Sequence, residues 1–272
     1  MATTQRDKAI RFRALHEQPG IFVLPNPWDA GSSRALASLG FQALATSSFA
    51  SSGAQGRRDG GLTMTETLNH VKAIVEATDL PVSGDLGDHF SDDVEGVAQI
   101  IRLAAEAGLV GCSIEDGRTG TQQPLLEIGL ATERVASAVE VARALPFPFT
   151  LTARAENFTH PNPSLEDTIK RLVAYERAGA DVLFAPALPN LEAVAAVCGA
   201  VTKPVNFMAG TKGRTFTLAE LAVAGVKRVS LGASLFRAAM TAMIDAAREL
   251  RELGTSTYAE RCISGAEWYA LL

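Results

Sequence analysis

Short apolar runs recur down this chain, and each ends in a polar or charged residue before a helical pattern begins. Phe22 to Asn26 ends on Asn26, Gln42 to Thr46 on Thr46, Pro81 to Asp85 on Asp85, Val110 to Glu115 on Glu115, and Phe149 to Arg154 on Arg154. Pro204 to Asn206 and Arg228 to Ser230 repeat the arrangement. Strands that are apolar along their length and alternate with helices form a parallel sheet covered by those helices. When eight such units close into a barrel, functional groups confined to the strands' carboxyl ends share one mouth. The pattern predicts an α/β fold, a (β/α)8 TIM barrel, with its chemistry at that mouth.

The punctuation agrees. Helical patterns close on Gly at Leu39-Gly40, Ala107-Gly108, Ala178-Gly179 and Ala224-Gly225, where Gly accepts the left-handed turn that ends a helix. Thr63 with Glu66, and Ser164 with Asp167, have capping-box spacing. Strands are predicted near 21–25, 41–46, 81–85, 110–115, 149–154, 181–185, 204–208 and 228–231, after a leading helix over 4–17. Helices are predicted near 29–39, 64–77, 92–107, 132–144, 165–178, 190–198, 217–224 and 234–251. No GxGxxG follows the first strand, which argues against an open dinucleotide-binding sheet.

A chain of 272 residues suits one such barrel, with residues 1–272 forming a single domain that ends in a helical tail. The formal charge of −5 is spread without a Lys/Arg cluster, so a nucleic-acid partner is not expected. Cys112, Cys198 and Cys262 form no CxxC pair and fit a reducing cytosol. The polar N-terminus and the lack of an apolar run of about 20 residues predict a soluble, cytoplasmic protein with no membrane partner.

Two long connections follow strands, 47–62 and 116–131, and the second is polar enough to act as a lid. Asp59, Asp85 and Glu115, from consecutive strand ends or loops, can converge on one Mg²⁺; each alone also reads as an acid paired with Arg or capping a helix. Arg154 reads as a bidentate partner for a substrate carboxylate, or as the partner of Glu156 or Asp116. Asp116 reads as a supporting group. Thr46, Ser47 and Ser48 can offer hydroxyls and N–H groups to an anion, or form an ordinary polar turn. The loops 209–213 and 231–234 follow strands seven and eight, where many barrels bind phosphate, although Gly is also a normal turn residue. A Schiff-base lysine is not expected, because Lys203 and Lys227 precede their strands and Lys212 is in a loop. His89 lies near the mouth, His160 in a Pro-rich loop, and His16 and His70 on helix surfaces. Cys112 is read as facing a barrel layer.

These motifs together resemble the isocitrate lyase / phosphoenolpyruvate mutase superfamily. The matching stretches are Asn26-Pro-Trp28-Asp29, Gly56-Arg-Arg-Asp59, Asp85, Ser113-Ile-Glu115-Asp116, Thr152-Ala-Arg154 and Asn206-Phe-Met208, in order from about residue 20 to 240. The resemblance implies Mg²⁺, or Mn²⁺ in its place, at the mouth. Asp85 would contact the metal, Asp59 and Glu115 would hold its waters, and Asp88 would offer a compensating acid. It makes Arg154, Glu115 and Asp59 the catalytic candidates, and Trp28, Thr46, Ser47, Ser48, Arg154 and Asn206 the substrate-binding ones. It further implies a homotetramer, a dimer of dimers, with the eighth helix exchanged between subunits.

This chain departs from the superfamily twice. The lyases' Lys-[Lys/Arg]-Cys-Gly-His stretch has no counterpart between Gly117 and Gly129, which contains no Cys, Lys or His. The metal motif Asp-x-[Asp/Glu]-x-Gly-[Tyr/Phe]-Gly becomes Asp85-Leu-Gly87-Asp88-His89-Phe90-Ser91, so Gly87 stands at the second acid. The expected function is a Mg²⁺-dependent carbon–carbon lyase or decarboxylase of a small 2-oxo or 2-hydroxy carboxylate, working through a metal-stabilised enolate and distinct from true isocitrate and methylisocitrate lyases. The alternatives are a P–C bond enzyme, whose lid motif Lys-Thr-Asn-Ser is missing, and a barrel that binds an oxo-acid without converting it.

Overall fold

A computed structural model describes residues 3–87, 93–118, 125–161 and 163–272. Eight parallel strands run in chain order: β1 (Phe22–Leu24), β2 (Leu44–Ala45), β3 (Val82–Asp85), β4 (Gly111–Glu115), β5 (Thr150–Arg154), β6 (Val182–Phe184), β7 (Val205–Met208) and β8 (Arg228–Ser230). From β2 to β8 each strand pairs with its sequence neighbour, and β1 pairs with β8. The gap between β1 and β2 is bridged where Ala45 N–H donates to Pro25 O at 3.0 Å. The result is the predicted TIM barrel, closed all but fully.

The helices are α1 (Gln5–Glu17), α2 (Ala30–Ser38), α3 (Ser48–Ala54), α4 (Met64–Glu76), α5 (Val94–Glu106), α6 (Ile128–Ala144), α7 (Leu165–Arg177), α8 (Leu191–Ala200), α9 (Leu218–Val223), α10 (Ser234–Leu253) and α11 (Gly265–Ala270). Each predicted strand and helix exists, with ends shifted by a few residues. Of the two expected capping boxes, Thr63–Glu66 is complete. Ser164 accepts from Asp167 N–H, but the Asp167 carboxylate turns to Asn157 and Arg171 instead. The chain after β2, read as one long loop, contains α3. Its Ser- and Ala-rich run has no amphipathic period, and Ser47 starts it by accepting from Ala50 N–H.

The main core lies between strands and helices, and Cys112 belongs to it. Cys112 therefore faces the helix layer and not a barrel layer, because the inward positions of β4 are taken by its neighbours, among them Ser113. A second cluster, with Phe12, Leu15, Phe22 and Leu24, plugs the barrel's N-terminal end beneath α1. Inside, the strands are not apolar throughout: Ser83, Thr152, Asn206, Arg228 and Ser230 point inward, where barrels usually carry branched aliphatic residues. α10 behaves differently from the other barrel helices. Of its 20 residues only Phe236 is buried, while Met243, Ile244, Leu250 and Leu253 are exposed. Among the described residues no helix is long and apolar enough to cross a membrane.

Candidate active site

The carboxyl ends of β3, β4 and β5 bring Asp85, Glu115 and Arg154 side by side; the register aligns Asp85 with Ser113 and Glu115 with Arg154. One Arg154 nitrogen lies 3.1 Å from Glu115 and 3.8 Å from Asp85, and its Nε pairs with Glu156. The guanidinium also covers the Phe184 ring at 5.3 Å. Burial works against its charge, but Glu156, Glu115 and Asp85 together hold its proton more firmly than usual.

Asp85 is fixed by its neighbours. Ser48 N–H donates to one carboxylate oxygen and Gly87 N–H to the other, each at 3.2 Å. Thr46 Oγ1 accepts from Asp85 N–H at 2.9 Å, which ties the end of β2 to β3. Gly87 has φ +67°, and an added Cβ would sit 3.3 Å from Ser48 Cβ. Left-handed backbone and tight contact both favour Gly there. Asp59 arrives on the loop after α3. Burial of its carboxyl and the nearby Asp85 charge raise its pKa, with the Ser48 hydroxyl opposing them.

Arg154 thus pairs with three carboxylates, and Asp59 adds a fourth to the same mouth. These oxygens suit a hard divalent cation, and a group that resists ionising beside Asp85 is what such a cation would relieve. Among the described residues no three of His, Cys, Asp and Glu converge as direct ligands. The residues present fit Mg²⁺ at Asp85, with Asp59 and Glu115 around it; Asp88 and His89 lie outside the described residues, as do Gln122 and Gln123 of the expected lid.

Below these acids lies a small polar cavity, lined by Asp85, Arg154, Thr46, Asn206, Ser230 and Arg228 among others. A hollow of about 570 Å³ at the opposite end, beside His16 and Lys203, holds none of the strand-end groups. Of the expected substrate-binding residues, Thr46, Arg154 and Asn206 line the cavity. Ser47 is spent capping α3, Ser48 supports Asp85, and the Trp28 ring turns edge-on to Phe236 at 5.7 Å.

Support for the mouth comes from buried polar groups. Asp116 accepts from Glu156 N–H at 2.8 Å, Arg171 at 3.0 Å and the Tyr175 hydroxyl at 2.6 Å. Burial, then the Asp116 charge, raises the Tyr175 pKa. His70 is not a surface residue. It joins Ser51 at 3.1 Å to the Trp28 carbonyl at 2.7 Å and so links α3 to the loop after β1. His16 also turns inward, between Phe12 and Phe22. Asn26 bridges Thr46 O at 2.7 Å and Leu231 N–H at 2.9 Å. The expected alternative partner of Arg154, Glu156, does pair with it; Arg228 was not anticipated, and its signal was a charge two residues before the polar end of a strand.

Comparison with known proteins agrees with this geometry. The family model described as phosphoenolpyruvate phosphomutase matches residues 12–251. An oxaloacetate decarboxylase of Paraburkholderia xenovorans is 29% identical over 92% of this chain and 83% of its own. A 2-methylisocitrate lyase of Halalkalibacterium halodurans is 29% identical over 74% of this chain and 67% of its own. A solved lyase/mutase candidate from Burkholderia cenocepacia J2315 is 49% identical, covers 98% of this chain and 96% of its own, and superposes with a TM-score of 0.96. A phosphonopyruvate hydrolase solved with oxalate and Mg²⁺ is 21% identical, covers 97% and 94%, and shares the fold with a TM-score of 0.85. The chain belongs to the phosphoenolpyruvate phosphomutase family, within the isocitrate lyase / phosphoenolpyruvate mutase superfamily.

Proposed function

We propose that this protein is a Mg²⁺-dependent carbon–carbon lyase or decarboxylase acting on a small 2-oxo or 2-hydroxy carboxylate. The observation that carries this reading is one guanidinium, Arg154, set among Asp85, Glu115 and Glu156 above a small polar cavity. Mg²⁺, when bound, supplies Lewis-acid polarisation of a carboxylate and its adjacent oxygen. Asp85 would contact it, with Asp59 and Glu115 holding its water. Arg154 binds the substrate carboxylate, and Thr46 and Asn206 orient the carbonyl side. When the C–C bond breaks, its electron pair moves towards the carbonyl oxygen, on the side that Thr46 and Asn206 orient. The oxaloacetate decarboxylase relative and the oxalate- and Mg²⁺-bound fold neighbour support the reading.

The stretch between Gly117 and Gly129, without Cys, Lys or His, supports an activity other than isocitrate or methylisocitrate cleavage. P–C bond chemistry is the second reading, favoured by the match to the phosphomutase family model. A non-converting oxo-acid binder is the third, favoured by Gly87 at the position of an acid. Turnover of oxaloacetate, 2-methylisocitrate and phosphonopyruvate, each with Mg²⁺ and with EDTA, separates the three. Oxaloacetate cleavage abolished by EDTA supports the first, and phosphonopyruvate turnover alone the second.

The exposed apolar residues of α10 support exchange of this helix with a second copy, in a dimer of dimers. Light scattering should return a tetramer mass, and a monomer mass would overturn it.

A further inference from the structure

Arg228 occupies an inward position of β8, and its guanidinium lies beneath the polar cavity with only 4% of the residue exposed. A buried cation is costly unless a carboxylate meets it. Among the described residues none pairs with Arg228. Its Nε donates to Asn206 Oδ1 at 2.8 Å, one terminal nitrogen donates to Thr152 Oγ1 at 3.1 Å, and the other faces His16 Nε2 at 3.4 Å. The His16 Nδ1 lies 2.8 Å from the Phe12 carbonyl, which only accepts. Nδ1 therefore carries the proton and Nε2 presents a lone pair. Burial, then the Arg228 charge, pulls the imidazole's pKa down to about 3 and keeps it neutral. Burial likewise lowers Arg228 to about 9, which leaves it charged at neutral pH. Each nitrogen of the cation thus faces a neutral partner, and its charge is uncancelled.

These bonds also decide which way Asn206 faces. Arg228 can only donate, so the amide oxygen turns to it and Nδ2 points away, 3.0 Å from Ser230 Oγ in the cavity lining. An Nδ2 has two hydrogens, and Ser230 uses one.

The geometry points to Arg228 as a positioning residue for carboxylate binding: it locks the Asn206 amide with its N–H towards the cavity and lends the floor an uncancelled positive charge that draws in a small anionic carboxylate. The carboxylate half of this inference rests on the Mg²⁺–carboxylate reading above; the uncancelled charge does not.

The test uses the full chain at pH 7.5, with melting temperature and calorimetric oxalate binding in Mg²⁺ measured on each variant. Asn206→Asp places a carboxylate against Arg228 in the same volume. Its melting temperature should rise, while oxalate affinity should fall roughly tenfold to hundredfold as the donor and the free charge are lost. Arg228→Lys keeps the charge without the fork and should bind oxalate better than Arg228→Gln. A merely structural Arg228 gives binding that follows stability, so the more stable Asn206→Asp would bind normally. A lower melting temperature in Asn206→Asp, or wild-type oxalate affinity in it, overturns the inference. If the wild-type protein itself ignores oxalate, the functional reading fails, and the melting of Asn206→Asp still decides whether the floor charge is uncancelled. If Arg228→Gln does not fold, the Asn206→Asp pair of measurements decides alone.

Discussion

Two arginines share this barrel under opposite arrangements. Arg154, at the mouth, is held by Glu156, Glu115 and Asp85, all acids. Arg228, at the floor, is held by Asn206, Thr152 and His16, all neutral. The mouth is therefore rich in negative charge and suited to a cation; the floor is positive and suited to an anion. A chelated carboxylate needs both, a metal above and a positive field beneath. Their scaffolds differ as well. The mouth leans on a buried charged network around Asp116, whereas the floor leans on α1 and its apolar plug.

Those scaffolds can be broken separately. The largest effect is expected at Asp116, whose loss leaves the buried Tyr175 hydroxyl without its acceptor and removes one of Arg171's two carboxylates. Asp116→Ala should lower stability by about 3–5 kcal/mol in urea unfolding, and a cost below 1 kcal/mol would show the mouth rests on something else. Next comes Asp85→Asn, which keeps shape and removes a charge. It should weaken Mg²⁺-dependent oxalate binding on the order of a hundredfold with little change in melting; equal binding would remove Asp85 from the metal site.

The floor should fail in acid. His16 is pulled to about 3, below its unfolded value, so the unfolded chain takes up the proton first. Stability is then fully present above pH 6.5 and is lost as pH falls towards 3, at up to about 1.4 kcal/mol per pH unit. His16→Gln should flatten that slope in urea midpoints measured across the window, and an unchanged slope would place the acid sensitivity in other groups. The smallest effect is at Gly87. Gly87→Ala must adopt φ +67° against Ser48 and should cost about 1–2 kcal/mol. Because Gly87 N–H holds Asp85, metal affinity should weaken along with stability; loss of stability alone would uncouple the turn from the mouth.

Much of the mouth was legible in the sequence, because Asp85, Glu115 and Arg154 close their strands and strand ends share one side of a barrel. Thr46 and Asn206 were found by the same logic. The floor was not legible. Arg228 sits inside a strand, and only the pairing of β7 with β8 puts it against Asn206. Ser47 caps α3 and the Trp28 ring meets Phe236, while Ser48 turns to Asp85, choices made by tertiary packing. His16 and His70 look like surface residues on their helices until α1 folds under the barrel and α4 meets α3. The helix over Ser48–Ala54 was hidden for a local reason, since small residues give no hydrophobic period.

A divalent cation and a small carboxylate are proposed to meet at this mouth. Calorimetric titration of oxalate into the purified protein tests it most directly, once with Mg²⁺ and once with EDTA. Saturable binding is expected with Mg²⁺ and none in EDTA. Equal binding in EDTA, or none in either, would contradict it.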